Sequence, residues 1–302
     1  MTRLLHFVVN RDAGRGRALA AWETVSRSIV EQAQGGGLDV DFTHSFVGDA
    51  IPFAKLAPET VLVSVGGDGS VHYVAQEAIK RGYVLGVVPA GTGNDFARNL
   101  GLPLDLPGTL RVLLFGEPHQ VDAIRVNQTY VSNLAGYGID AEVVQWIETH
   151  PWLKKIGRLG YGVVVPIVLW RHRPFDVSVL VDDHQMKSFP KASIFAIANG
   201  SRFGGGMRIA PTASPYDGEL NLVVGTGLSK LAILRLFPRI YRGTHVTHPA
   251  VTCLTGHRFQ IEFSGAPTAA EYDGEMYPFP QHAQVNLESG LRILLPPNHS
   301  RL

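Results

Sequence analysis

The chain has 302 residues, 45% apolar and 18% charged, a composition that can bury a core and excludes a disordered chain, at a length that favours two domains. Twenty-seven basic against 26 acidic residues leave a formal charge of +1, which supplies no global field for nucleic acid. The one cysteine, Cys253, excludes an intramolecular disulfide and a cysteine-built zinc site, and fits a reducing compartment.

The opening MTRLLHFVVN has no small-residue cleavage site and reads as a strand over residues 4–10. The spacing then predicts a helix over 17–34 closed by Gly35-Gly36-Gly37, a strand over 39–45 and a short helix over 51–56. A strand over 60–65, a helix over 71–80 stopped by Gly82, a strand over 84–89 and a helix over 95–100 follow. Such alternation means a doubly wound parallel sheet covered on both faces, with ligand loops at the carboxyl ends of its strands. After the Pro/Gly-punctuated segment 101–118, strands follow strands: 121–126, 130–134, 175–181, 193–198, 220–224 and 258–263. That pattern predicts an antiparallel β-sandwich, interrupted by helical stretches near 139–172 and 228–242. The expected division is an α/β domain over 1–120 and a β-sandwich domain over 121–289. The longest apolar stretch, residues 159–170, contains Pro166 and is shorter than the roughly 20 residues of a membrane span, so a cytoplasmic location is expected.

Three glycine-bearing loops follow strands of the first domain: NRDAGRG (10–16), GGDGS (66–70) and AGTGND (90–95). Glycine lets a ligand approach main-chain N–H groups, and a helix N-terminus behind it favours an anion. Any parallel sheet needs tight turns, and Thr92 and Asp95 have the spacing of a capping box, so each loop alone is ambiguous. Three after three strands open at one sheet edge. None is G-x-x-x-x-G-K-[ST] or G-x-G-x-x-G, which argues against a P-loop or a conventional dinucleotide site. A carboxylate beside a phosphate repels it unless a cation intervenes, so Asp68 suggests Mg²⁺ with a nucleotide. In the second domain, Asp217-Gly218 and Asp273-Gly274 read first as hairpin turns. Phosphoryl transfer to an alcohol also needs a base near the hydroxyl, which a carboxylate on such a turn would supply.

GGDGS, PAGTGNDFAR (89–98), APTASPYDGELNLVV (210–224) and the late DGE (273–275) occur in series. Together they resemble the soluble bacterial diacylglycerol kinase-like lipid kinases, relatives of sphingosine and ceramide kinases, over residues 8 to about 295. GGDG alone is shared with NAD kinases and phosphofructokinases. The resemblance implies a nucleotide-binding α/β domain completed by the last residues, 290–302, a β-sandwich domain, and ATP-dependent phosphorylation of a lipid hydroxyl. It places ATP contacts on Asn10, Gly14, Thr43, Gly66, Gly67, Asp68, Gly69, Ser70, Val71, His72 and Thr92. It implies Glu275 as general base, with Asp273 of the same turn in the catalytic set. Asp68, Asp95 and Asp217 look like the acidic network around the catalytic Mg²⁺. Ser214, Asp217 and Glu219 match a structural Mg²⁺ site, Glu219 through its carbonyl. A homodimer is implied by the resemblance only. The family's first loop usually reads Asn-Pro-x-Ser-Gly; here a serine hydroxyl is missing, and Arg11, Arg15 or Arg17 is expected to compensate. His72-Tyr73 replaces the usual Asn-Glu.

The segment 152–174 puts Lys154, Lys155, Arg158, Arg171 and Arg173 at the ends of an apolar, Trp-flanked helix. It reads either as a buried helix with basic ends or as a surface facing anionic headgroups on the inner face of the membrane. The histidines show no metal spacing and most are expected at the surface or in turns, Cys253 in the core. Phe203 and residues 234–241 line either an acyl-chain slot or, more simply, the sandwich core. Two other readings remain open: a soluble-substrate kinase of the NAD kinase type, without a TGSTAY-like run to support it, and a non-catalytic lipid or nucleotide binder.

Overall fold

The computed structural model describes residues 2–34, 39–150, 158–265 and 269–297, without the side chains of 158–161. The closing triplet Gly35-Gly36-Gly37, Lys154 and Lys155 lie outside the described residues, as do 298–302. The chain separates into two compact units, Met1–Val121 with Ser289–Leu302, and Asp122–Glu288.

In the first unit β1 (Arg3–Val9), β2 (Val40–Phe46), β3 (Val61–Gly66) and β4 (Val84–Pro89) form a parallel sheet in the order β4-β3-β1-β2. The C-terminal part of β15 (His282–Leu295) extends it, Arg292 and Ile293 pairing in parallel with β4. All six residues of β3 are buried, as a central strand covered on both faces requires. Helix α1 (Arg17–Gln34) buries Ala18, Ala21, Trp22, Val25 and Ile29, and the Trp22 ring packs 4.7 Å from Phe7 and 5.8 Å from Phe42. Helices α2 (Asp68–Arg81) and α3 (Asp95–Asn99) follow β3 and β4. Helix α4 (Leu106–Phe115) lies where the sequence reads as punctuated loop. Its Pro107 and Gly108 fall in the first turn, where neither breaks a helix, and Asp105 caps it by accepting the Gly108 N–H at 2.7 Å.

The second unit is antiparallel, with β5 (Glu117–Val126) leading into it. Strands β14 (Glu275–Tyr277), β13 (Ala270–Tyr272), β7 (Leu134–Gly138), β9 (Gln185–Ala198), β8 (Phe175–Val181), β12 (Arg258–Ser264) and β15 are neighbours in that order. β10 (Leu220–Thr226) pairs with β9 and with the edge strand β11 (Val251–Gly256), and β6 (Thr129–Val131) pairs with β5. β9 turns the corner of the sandwich. Its first half pairs with β8 and its second with β7 and β10, and the register shifts near Lys191, whose φ is +52°. The enclosed core includes Tyr137, Phe195, Phe259 and Phe263. Helices α5 (Ile139–Thr149), α6 (Arg158–Arg171) and α7 (Lys230–Ile240) share a separate apolar cluster.

One side-chain expectation is corrected. Cys253 is exposed, because β11 is an edge strand with one face open. Among the described histidines His6, His72, His172 and His245 are buried, each sitting on or beside an element that packs inward, and the other seven are not, so most lie where they are expected. Phe203 is partly buried against a further apolar cluster that includes Leu134, Ala196, Ile209 and Val223.

Candidate active site

β1, β3 and β4 are adjacent parallel strands, so the three glycine loops leave the sheet at one edge, and they touch. The Asn10 N–H donates to Val65 O (3.1 Å) and the Ala90 N–H to Gly66 O (2.8 Å). A Cβ on Gly91 would overlap Gly67 Cα, one on Gly14 would overlap Ala90 O, and one on Gly66 would overlap Ser70 Oγ. Gly14 and Gly91 are therefore required first by loop-against-loop packing and Gly66 by its own loop's Ser70, and the bare backbone they leave is what a phosphate could approach. Asn10 Nδ2 donates to Ser70 Oγ (3.0 Å), joining the first loop to the second. Arg17 joins the first to the third, Nε donating to Gly14 O and Nη2 to Gly91 O, both at 2.9 Å. Arg17 thus spends its guanidinium on loop carbonyls, while Arg11 lies 3.6 Å over the Phe46 ring. Gly91→Ala is expected to cost about 1–3 kcal/mol by overpacking. It should lower the melting temperature and raise the nucleotide KM together, read by calorimetry and steady-state kinetics.

GGDGS is less of a loop than its composition implies. β3 runs to Gly66, Gly67 is the N-cap, and α2 begins at Asp68. The first amides of a helix lack partners within the helix and carry its positive dipole end. Ser70, Val71 and His72 are buried, and the Val71 N–H is already spent on Gly67 O at 3.0 Å, so neither the side chain nor the amide of Val71 is offered to a ligand. Asp68 Oδ1 accepts the Phe96 N–H at 3.0 Å, so this carboxylate has a partner at the start of α3 without any cation. The expected Thr92–Asp95 capping box does not form. Asn94 is the N-cap at φ +53° with no side-chain cap bond, and its Oδ1 accepts the Gly91 N–H (2.8 Å). Asp95 is buried in the first turn of α3, beside the amide that Asp68 holds; Thr92 is exposed. Thr43 is exposed on β2, its hydroxyl 2.7 Å from His6 Nδ1. Burial first, and then the neighbouring His44, hold His6 below its usual range, so His6 is neutral at physiological pH.

In the second unit Asp273 and Gly274 have φ of +54° and +86° and form the two-residue turn between β13 and β14, with Tyr272 paired to Glu275. Asp273 is an acceptor for three main-chain donors: the N–H groups of Ser132 (2.7 Å), Asn133 (2.8 Å) and Leu134 (3.1 Å). Glu275 opens β14 and is exposed. One turn therefore anchors one carboxylate and presents another.

Asp122, unmarked in the sequence reading, is the centre of the 214–219 turn. Its N–H donates to Pro215 O (3.0 Å) and its Oδ2 accepts the Gly218 N–H (2.8 Å). Burial raises its carboxyl above the usual range, with the Asp217 charge adding to the effect. Burial raises Asp217 as well, with Glu219 adding, and Asp217 Oδ1 accepts the Glu219 N–H (3.1 Å). An all-oxygen set of carboxylates, Ser214 hydroxyl and Glu219 carbonyl suits a hard cation such as Mg²⁺. No three His, Cys, Asp or Glu side chains converge among the described residues, so such an ion would keep several waters.

A family model described as "Diacylglycerol kinase catalytic domain" matches residues 4–126, and one described as "YegS C-terminal NAD kinase beta sandwich-like domain" matches 133–294. The chain belongs to the diacylglycerol kinase-like lipid kinases. It is a phosphotransferase with an alcohol acceptor and uses a nucleotide substrate. A Mycobacterium tuberculosis protein named "Diacylglycerol kinase" is 28% identical, the match covering 97% of this chain and 94% of the relative. A Chromohalobacter salexigens "Probable lipid kinase YegS-like" is 32% identical over 59% of this chain and 58% of its own. The crystal structure of a putative diacylglycerol kinase from Bacillus anthracis superposes with a TM-score of 0.73 at 19% identity, covering 99% and 96% of the two chains, and shares the fold. No helix among the described residues of this lipid kinase is long and apolar enough to cross a membrane.

Proposed function

We propose that this kinase moves the γ-phosphoryl group of Mg-ATP to the hydroxyl of diacylglycerol or a similar lipid alcohol, giving phosphatidic acid or its analogue. The observation that carries the reading is the packed edge of three loops, whose glycines leave backbone amides open at the start of α2. Those amides bind the phosphates and hold charge that spreads over the transferring group. Mg²⁺ would neutralise phosphate charge when bound, and Asp68 and Asp95 are the carboxylates of this chain that would hold it. Glu275, exposed on its rigid turn, accepts the hydroxyl proton as the new bond forms. The test is ATP consumption with a panel of lipid alcohols in mixed micelles, against NAD and sugars in buffer. Turnover with lipid alcohols alone supports the reading, and turnover with NAD replaces it with the soluble-substrate alternative.

A bilayer substrate requires a surface that meets the bilayer. α6 exposes Val163, Ile167 and Trp170, the last at 81%, and α7 exposes Leu231 and Leu234. Lys230 ties the two helices, its Nζ donating to Trp170 O at 2.6 Å and lying 5.5 Å from the Trp170 ring. With Arg171 and Arg173 nearby in sequence, this is an apolar face with a basic rim, the pattern of an interfacial helix on anionic lipid. Trp170→Glu is expected to reduce co-sedimentation with vesicles containing anionic lipid by at least fivefold, while turnover of a short-chain soluble substrate stays within twofold.

A further inference from the structure

β13 carries a carboxyl group that catalysis does not use and whose burial needs a reason. Glu271 is 2% exposed and pairs across strands with Gly136 of β7. A Cβ on Gly136 would overlap Asp140 Oδ2 and would stand 2.6 Å from Glu271 Oε1, so the missing side chain is the space in which the two acids meet. Asp140 comes from the first turn of α5, whose N-cap is Gly138. The other oxygen of Glu271, Oε2, accepts the Gly274 N–H at 2.7 Å. Gly274 is the second residue of the turn, and Glu275 is the next. A continuous chain of contacts therefore runs from Asp140 through Glu271 and the Gly274 amide to the residue that presents the proposed base.

We propose that Asp140 and Glu271 are positioning residues: a single proton shared between their carboxyl groups fixes Glu271 against the Gly274 amide and so sets the turn that presents Glu275. This rests on the reading of Glu275 as general base.

Glu271 is buried and Asp140 is half-buried with its Oδ2 enclosed, and two such carboxylates in contact cannot both stay charged. Asp140 Oδ2 is buried with no hydrogen-bond donor among the described residues, so the donor it needs is the O–H of Glu271. Burial, and then the Asp140 charge, raise Glu271 well above its usual range; burial raises Asp140 to about 6. The N-terminal end of α5 favours the charge on Asp140 and leaves the proton with Glu271. The other groups acting on Glu271 give no counter-charge: Asp273 on the turn is acidic, and Tyr137 of β7 and Tyr272 of β13 pair hydroxyl to hydroxyl at 3.3 Å. An acid raised by folding stabilises the fold at low pH and loses that contribution as pH rises through its folded value. On the alkaline side the shared proton leaves, the carboxylates repel, and the hold on the turn is lost.

Glu271→Gln replaces the titrating O–H by an amide N–H that stays, while its carbonyl still accepts from Gly274. Asp140→Asn does the same from the other side, and keeps the test standing if either variant folds poorly. The measurement is kcat against pH from 6 to 9.5 with soluble lipid-analogue substrate, beside the melting temperature over the same range. Wild type is expected to lose kcat on the alkaline side, and in both variants that limb should move up by at least one pH unit, with nucleotide KM within twofold. The alkaline fall in melting temperature should flatten in parallel. An alkaline limb identical in wild type and variants, or absent in wild type, overturns the inference. Glu275→Gln is run alongside. If it turns over normally the general-base reading fails, while the melting profiles still report separately on the shared proton.

Discussion

Glu275→Gln is expected to reduce kcat by about 10²–10⁴-fold, the usual contribution of a positioned general base, with nucleotide KM within about twofold of wild type. The substitution is nearly isosteric and falls on an exposed residue at the start of β14, so the Asp273-Gly274 turn and the Tyr272–Glu275 strand pair should survive it. An amide cannot take the substrate hydroxyl proton, so the loss should appear in the chemical step. Single-turnover kinetics with saturating lipid reads that step directly. Turnover within threefold of wild type would remove Glu275 from the mechanism and return the base to another carboxylate.

The second large effect belongs to Asp273, and its direction separates two roles. Its carboxylate accepts from three consecutive amides, Ser132, Asn133 and Leu134, at the entry to β7. Asp273→Ala leaves these donors without that acceptor and places alanine at φ +54°, a region L-residues enter at a cost. A loss of about 2–4 kcal/mol is expected, with activity lost as the turn moves. For a unit of this size that is a fall of roughly 5–15 °C in melting temperature. Asp273→Asn tolerates the same φ and keeps one acceptor oxygen, so it should retain most stability and measurable turnover. If Asp273→Asn instead melts like wild type with no turnover, Asp273 acts in the chemistry itself.

How much of this was legible in sequence varied with the range of the interaction. Strand–helix alternation in the first unit and strand-after-strand spacing in the second are local periodicities, and they placed β1, β3, β4 and α1, and in the sandwich β8, β10 and β12, within a residue or two; β9 begins eight residues earlier than its spacing indicates, and β6 and β7 read as one strand. α4 escaped because Pro107 and Gly108 read as breakers when position inside the helix is unknown. The start of α2 was set three residues too late, since Asp68-Gly69-Ser70 has turn composition but a helical backbone. Glu271 stands two residues before the motif that drew attention to the turn. Its partner Asp140 is distant in sequence, and no spacing rule connects them.

The sequence alone determined the family and the two architectures, because motif order and hydrophobic period are properties of the chain itself. Only the tertiary structure decided what individual carboxylates do. Asp68 caps α3, Asp273 gathers three amides, Asp122 organises the 214–219 turn, and Glu271 meets Asp140 over Gly136. The physical reason is that a carboxylate's charge state and partner depend on burial and on donors brought from other elements, and neither is written in its neighbours along the chain.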